Sequence, residues 1–236
     1  MFPTAQPDDP YLRPSFSVAN RMGRLAWSIV WTLLFRPSPR PFHSWRAFLL
    51  RGFGAKLGPN CHFYPRSRVW APWNLECADG VTLGDEAEIY NPSLVTMGSH
   101  AIVSQQGYIC GATHDYNDPA FPLISFPMSL GAYSWVCARA SVSPGVNVGE
   151  GAVLGLGSVA TRDLEPWTVY AGVPAQPVKQ RVGREQSSAA TSAFTLTRRR
   201  SKNVWGKESR NNAGRSICSP ASARADSKRM ISLNRI

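Results

Sequence analysis

The stretch LGAYSW VCARAS VSPGVN VGEGAV LGLGSV ATRDLE, residues 130 to 165, divides into six hexads beginning with Leu130, Val136, Val142, Val148, Leu154 and Ala160. Every start is apolar. The fifth place of each hexad, Ser134, Ala140, Val146, Ala152, Ser158 and Leu164, is small or apolar throughout. A period of six fits neither a helix nor a flat sheet. It fits a coil of three short strands, each sending one aliphatic side chain inward, with stacked coils pairing their backbones. Eighteen residues then make one triangular turn.

Working outward, LGPNCH, FYPRSR, VWAPWN, LECADG, LGDEAE and IYNPSL follow the same rule from Leu57. A two-residue slip at Val95 and Thr96 precedes MGSHAI, VSQQGY and ICGATH. Glycine recurs at the second place (Gly58, Gly84, Gly98, Gly131, Gly149, Gly155), where a corner is expected to need backbone freedom. The reading is an all-β solenoid over 57–182, a parallel β-helix of hexapeptide repeats. Residues 113–129, THDYNDPAFPLISFPMS, break the phase and are expected to project as a loop.

Ahead of the coils, residues 1–15 read as irregular and 16–56 as an amphipathic helical arm. Met22, Leu25, Ala26, Ile29 and Leu33 recur at helical spacing up to RPSPRP, and Phe42, Trp45, Phe48 and Leu49 follow on a second short helix. The apolar run Leu25 to Phe35 would reach about 17 Å as a helix, too short for a hydrocarbon core of about 30 Å. Residues 183–236 are Ser-, Ala-, Asn- and Arg-rich and read as a disordered basic tail.

The net charge of +11 invites a nucleic-acid reading, which its distribution removes. Residues 11 to 56 carry eight basic side chains and no acid, and the tail carries twelve against three acids. Between 57 and 183 stand six basic and ten acidic residues, so the core is mildly acidic. The five cysteines are dispersed and lack CxxC spacing, and MFPTAQPDDP does not have the pattern of an export signal. A cytoplasmic protein is expected, with no nucleic-acid partner. The basic, Trp-rich arm suits peripheral contact with an anionic membrane at its inner face.

Four histidines are present, His43, His62, His100 and His114. His43 lies in the arm, and His62 and His100 fall inside hexads as faces of the prism. Only His114 sits where a coil gives way to the loop, in THDY. An imidazole near pKa 6.5 can take a proton from a hydroxyl at neutral pH. Cys110 and Cys137 have no dedicated base beside them, which disfavours an acyl-enzyme. Asp115 is a candidate to orient or charge-stabilise His114 and, with Asn91, a candidate acceptor contact. Arg162 and Lys179 are placed where the coils finish and suit the phosphates of a donor cofactor. One histidine at the loop is too few for a metal site of three, so no metal is expected.

Taken together, WRAFLLRGFGAKLG, APWNLE, the THDY loop, PGVNVGEGAVLGLGSV and PWTVYAGVPAQPV resemble the hexapeptide-repeat acetyltransferases. Within them the chain is similar to the colanic-acid-biosynthesis type of sugar O-acetyltransferase, over about residues 20 to 182. The resemblance implies a left-handed β-helix, a homotrimer with active sites between neighbouring subunits, and acetyl-CoA along the C-terminal coils. It implies a sugar or lipid-linked oligosaccharide acceptor in exopolysaccharide biosynthesis, with His114 as the general base. By position Trp135, Ala138, Thr161 and Arg162 match places that line the CoA channel. Gly84 or Asp85 stands where galactoside-type enzymes carry an acceptor-binding Asn. The alternative function is a catalytically silent hexapeptide scaffold.

Overall fold

The computed structural model describes residues 15–182. The reading of residues 1–15 as irregular falls outside them except for Ser15, and that of 183–236 as a disordered tail lies outside them altogether. Short parallel strands stack into three faces around a triangular prism of about six turns. The first face holds Lys56–Leu57, Leu75–Cys77, Val95–Met97 and Met128–Leu130, continued by single pairings of Val148 and Leu164. The second runs from His62–Phe63 through Thr82–Leu83, Ile102–Val103, Trp135–Val136 and Val153–Leu154 to Thr168–Gly172 and Ala175–Gln180. The third stacks Arg68–Val69, Glu88–Tyr90, Tyr108–Cys110, Ser141–Val142 and Val159–Ala160.

The ladder is the one the hexads define. Phe63, Leu83, Val103, Val136 and Leu154 stack inside the second face, and Val69, Ile89, Ile109, Val142 and Ala160 inside the third, all essentially without solvent contact. The fifth-place residues Ser134, Ala140, Val146, Ala152, Ser158 and Leu164 are buried too. Coil length departs from the uniform eighteen. In the first turns His62 lies opposite Thr82 and Thr82 opposite Ile102, a rise of twenty residues, whereas Trp135 lies opposite Val153, a rise of eighteen. The two extra residues lengthen the first face, where Leu75–Cys77 and Val95–Met97 each bury both end residues. The slip at Val95 is one such lengthening.

Glycine at the second place has a different cause from the one expected. A Cβ on Gly131 would stand 2.5 Å from Glu150 N, and one on Gly84 2.7 Å from Gln105 N, so these sites are bare because the next coil's backbone occupies the space. The left-handed backbone falls instead at the fourth place, at Asn60, Glu86, His100, Gln106, Tyr133 and Arg139, and later at Gly145, Gly151 and Gly157.

A first coil has no predecessor, so its carbonyls face outward without the N–H groups that every later coil receives. The arm supplies them. Helix α1 (Val18–Val30) runs into a wider π turn, Trp31–Phe35, and α2 (His43–Gly52) follows. Trp27 Nε1 donates to Val69 O at 2.7 Å, Trp31 Nε1 to Ser67 O at 2.9 Å, and Arg51 to Leu57 O and Gly58 O at 3.1 and 3.0 Å. Arg46, fully buried, donates to Phe63 O and to the carbonyls of Pro39 and Arg40. Trp27 packs edge-on against Phe35 and beside Phe53. The arm therefore seats by its aromatic side, and Met22, Leu25, Ile29 and Leu33 face away from the prism.

Candidate active site

Ser93 Oγ donates to Ser125 Oγ across 2.7 Å, and Phe126 N donates to Gly111 O, fixing a hairpin at the corner between the third and first faces. Its strands are Ala112–His114 and Leu123–Ser125, paired antiparallel with His114 opposite Leu123. The phase-breaking segment is thus an ordered projection. His114, half-buried, holds Nδ1 2.9 Å from Phe121 O, and the Phe121 ring lies flat on the imidazole, centroids 4.4 Å apart and 10° from parallel. A carbonyl only accepts, so Nδ1 carries the proton and Nε2 carries the lone pair, the form a base requires. Phe121 adopts φ +44°, a conformation that costs an aromatic residue about 1–2 kcal/mol and directs this carbonyl at the imidazole.

The group that bonds the His114 ring is the Phe121 carbonyl, and the Asp115 side chain is turned to its own loop. The Asp115 carboxylate accepts from Asn117 N at 3.0 Å and its own N–H donates to Pro122 O, so it closes the hairpin's turn. No spacing rule could have found Phe121, because its contribution is a backbone oxygen set by an unusual φ. Asn91 is likewise corrected as an acceptor contact. It is completely buried, accepts from Ala71 N at 2.9 Å, and donates to Ala71 O and Asn74 O at 2.8 and 2.9 Å. Its amide ties two coils together, with both N–H donors spent and the oxygen bonded out of reach of solvent.

The residues assigned to the donor fall into two groups. Trp135 is exposed on the second face, its Nε1 donating to Ser104 Oγ at 2.8 Å. It stands in one row with Val153, Val169 and Lys179, which puts Lys179 three strands away, about 14 Å. Ala138 lies at the corner leaving that face, its carbonyl accepting from Gly157 N. Thr161 and Arg162 are exposed at the corner after Val159–Ala160, the same edge of the prism from which the His114 hairpin leaves. Arg181 is not part of either set. It donates to Tyr133 O and Gly151 O at 2.7 and 2.9 Å and holds the last strand down. Below Trp135 the second face carries a cleft of roughly 430 Å³ lined by Arg40, Tyr64, Arg66, Asp85, Ser104 and Gln106 among others. Within it Arg66 bonds Asp85 at 2.6 Å and holds that carboxyl below the usual range.

Burial pushes the Cys137 thiol up, away from the thiolate a nucleophile needs, and Cys110 Sγ is turned to Ala112 O at 3.3 Å. Among the described residues no group of three His, Cys, Asp or Glu side chains converges on a metal position.

A stacked β-helix of hexapeptide turns with a projecting hairpin is the fold of a class of acyltransferases. The chain is 35% identical over 170 residues to WcaF of Escherichia coli K12, a relative named for acetyl transfer in colanic acid biosynthesis, covering 72% of this chain and 93% of that one. It is 28% identical over 125 residues to the E. coli galactoside O-acetyltransferase, covering 52% and 55%. Among solved structures, galactoside acetyltransferase in complex with coenzyme A superposes with a TM-score of 0.64 at 22% identity, over 71% and 84% of the two chains. The hexapeptide-repeat acetyltransferase of Vibrio cholerae gives 0.63 at 19% over 70% and 93%. No family model matches the sequence. The chain belongs to the hexapeptide-repeat acetyltransferases, and its solenoid is their left-handed β-helix. It is an acyltransferase.

Proposed function

We propose that the protein transfers acetyl from acetyl-CoA directly to a hydroxyl of a sugar or lipid-linked oligosaccharide in exopolysaccharide biosynthesis, with His114 as general base. The observation that carries this is the Nδ1 bond to Phe121 O, which leaves Nε2 as the basic nitrogen. Nε2 takes the acceptor's proton as its oxygen attacks the thioester carbonyl. Collapse of the tetrahedral adduct breaks the C–S bond, and the imidazolium returns the proton to the leaving thiolate. A silent scaffold has no use for an oriented imidazole. The relative named for colanic acid biosynthesis and the one named for galactosides both support a sugar acceptor.

Trp135 and Lys179 lie on the second face, while His114, Thr161 and Arg162 share the opposite edge, so one protomer does not gather them. A homotrimer in which the second face of one subunit meets the hairpin edge of the next completes the site. The cleft beside Trp135 offers the charged and hydroxylated lining that a sugar hydrogen-bonds. Lys179 and Arg162 serve the phosphates of CoA. A lipid-linked acceptor places the work at the inner face of an anionic membrane.

Thiol release from acetyl-CoA is the test, across soluble sugars and lipid-linked oligosaccharides. Turnover that requires a sugar hydroxyl is expected, and absence of turnover with every acceptor contradicts the proposal. Mixing refolded His114→Ala and Trp135→Ala subunits should restore part of the activity each lacks. No recovery would place both residues in one subunit's site.

A further inference from the structure

Helix α1 and the turn after it have two unlike sides. Trp27, Trp31 and Phe35 face the prism, whereas Val18, Met22, Leu25, Ile29 and Leu33, spaced four, three, four and four residues apart, are 52 to 72% exposed. The row is about 22 Å long. Trp45 Nε1 donates to Leu34 O at 3.2 Å and Trp45 stacks with Phe48, centroids 5.8 Å apart. Leu34, Trp45 and the 63%-exposed Phe48 therefore extend the row into one apolar strip. Arg21, on α1 between Val18 and Leu25, and Arg36, just past the π turn, are exposed beside it.

We infer that this strip is the surface by which the enzyme docks on an anionic phospholipid bilayer, α1 lying in the interface plane with its aliphatic row among the acyl chains. The inference deepens the proposed membrane-side function by assigning the contact. Charge selects the occupant. From residue 11 to Lys56 the chain has eight basic residues and no acid, so a second copy of the arm would bring arginines against arginines, whereas lipid phosphates neutralise them. No helix among the described residues is long and apolar enough to cross a membrane, which leaves an in-plane helix as the geometry the strip fits. Trp45 supplies an aromatic anchor of the kind favoured at the headgroup level, and Phe48 adds apolar area beside it.

Co-sedimentation of the full chain with phosphatidylglycerol–phosphatidylethanolamine vesicles, without acetyl-CoA or acceptor, reads this contact apart from catalysis. Wild type is expected to bind these vesicles and not phosphatidylcholine alone. Leu25→Asp with Ile29→Asp should weaken binding by at least about tenfold, and Arg21→Ala or Arg36→Ala by about fivefold each. Thiol release with a soluble sugar acceptor and the melting temperature should not move. Three results overturn the inference. These are equal binding to both vesicle types or to neither, subunit dissociation in the Leu25 and Ile29 variant, and binding that appears only after residues 1–14 are removed.

Discussion

The coils and the His114 hairpin satisfy their backbones in opposite ways. In a coil the strand N–H groups are answered by the coil stacked on it, as when Trp135 N donates to Ala152 O and Cys137 N to Leu154 O, so position is inherited from the stack. In the hairpin the partners are local: Phe121 N donates to Asp118 O, Asn117 N to the Asp115 carboxylate, and Phe121 O meets His114. The stack supplies rigidity and the hairpin supplies one chemically specified nitrogen. A change in a coil should therefore damage stability and carry activity down with it, while a change in the hairpin should damage activity alone.

The largest effect is expected within the stack. Leu83→Ala removes a completely buried rung between coils and should cost about 2–5 kcal/mol in urea unfolding, with specific activity per folded molecule retained. The arm belongs with the coils in this contrast because it terminates them. Arg46→Ala leaves Phe63 O and two further carbonyls without their donor and should cost about 3 kcal/mol, accompanied by loosening of Trp27 in its fluorescence. In the hairpin, Phe121→Ala keeps the carbonyl and loses the stacked ring. It should lower kcat about tenfold with less than about 1 kcal/mol lost in stability.

The smallest effect is on pH dependence. Burial lowers the pKa of His43, which faces Arg46, His62 and Tyr64, below the ordinary value of 6.5. The unfolded chain then takes the proton first. The contribution is full above about pH 6.5 and declines as pH falls towards the folded value. His43→Phe should flatten that part of a stability profile.

How much was legible follows the same contrast. The ladder could be counted from the sequence because each inward position is set by the repeat and takes an apolar or small side chain. The role of the second-place glycines was misassigned, since a period reveals that a site is small and not whether φ or a neighbouring backbone demands it. Asn91 reads like a ligand contact and proves to be a clamp, because burial of its amide depends on two coils meeting at Ala71 and Asn74. His114 was visible through the broken phase, whereas its partner was not, because Phe121 contributes a carbonyl. The exposed row of α1 shows the limit in another form. A helical stripe predicts amphipathicity, yet here the aromatic side found the prism because its indole N–H groups answer open carbonyls that aliphatic side chains cannot.

The central claim is that the hairpin exists to hold one basic nitrogen. Its most direct test is the initial rate of acetyl-CoA-dependent thiol release, at a saturating sugar acceptor, by wild type and His114→Ala matched in oligomeric state and melting temperature. A fall of about 10²- to 10⁴-fold with unchanged stability is predicted. Equal rates in the two proteins would contradict the assignment of His114 as the base.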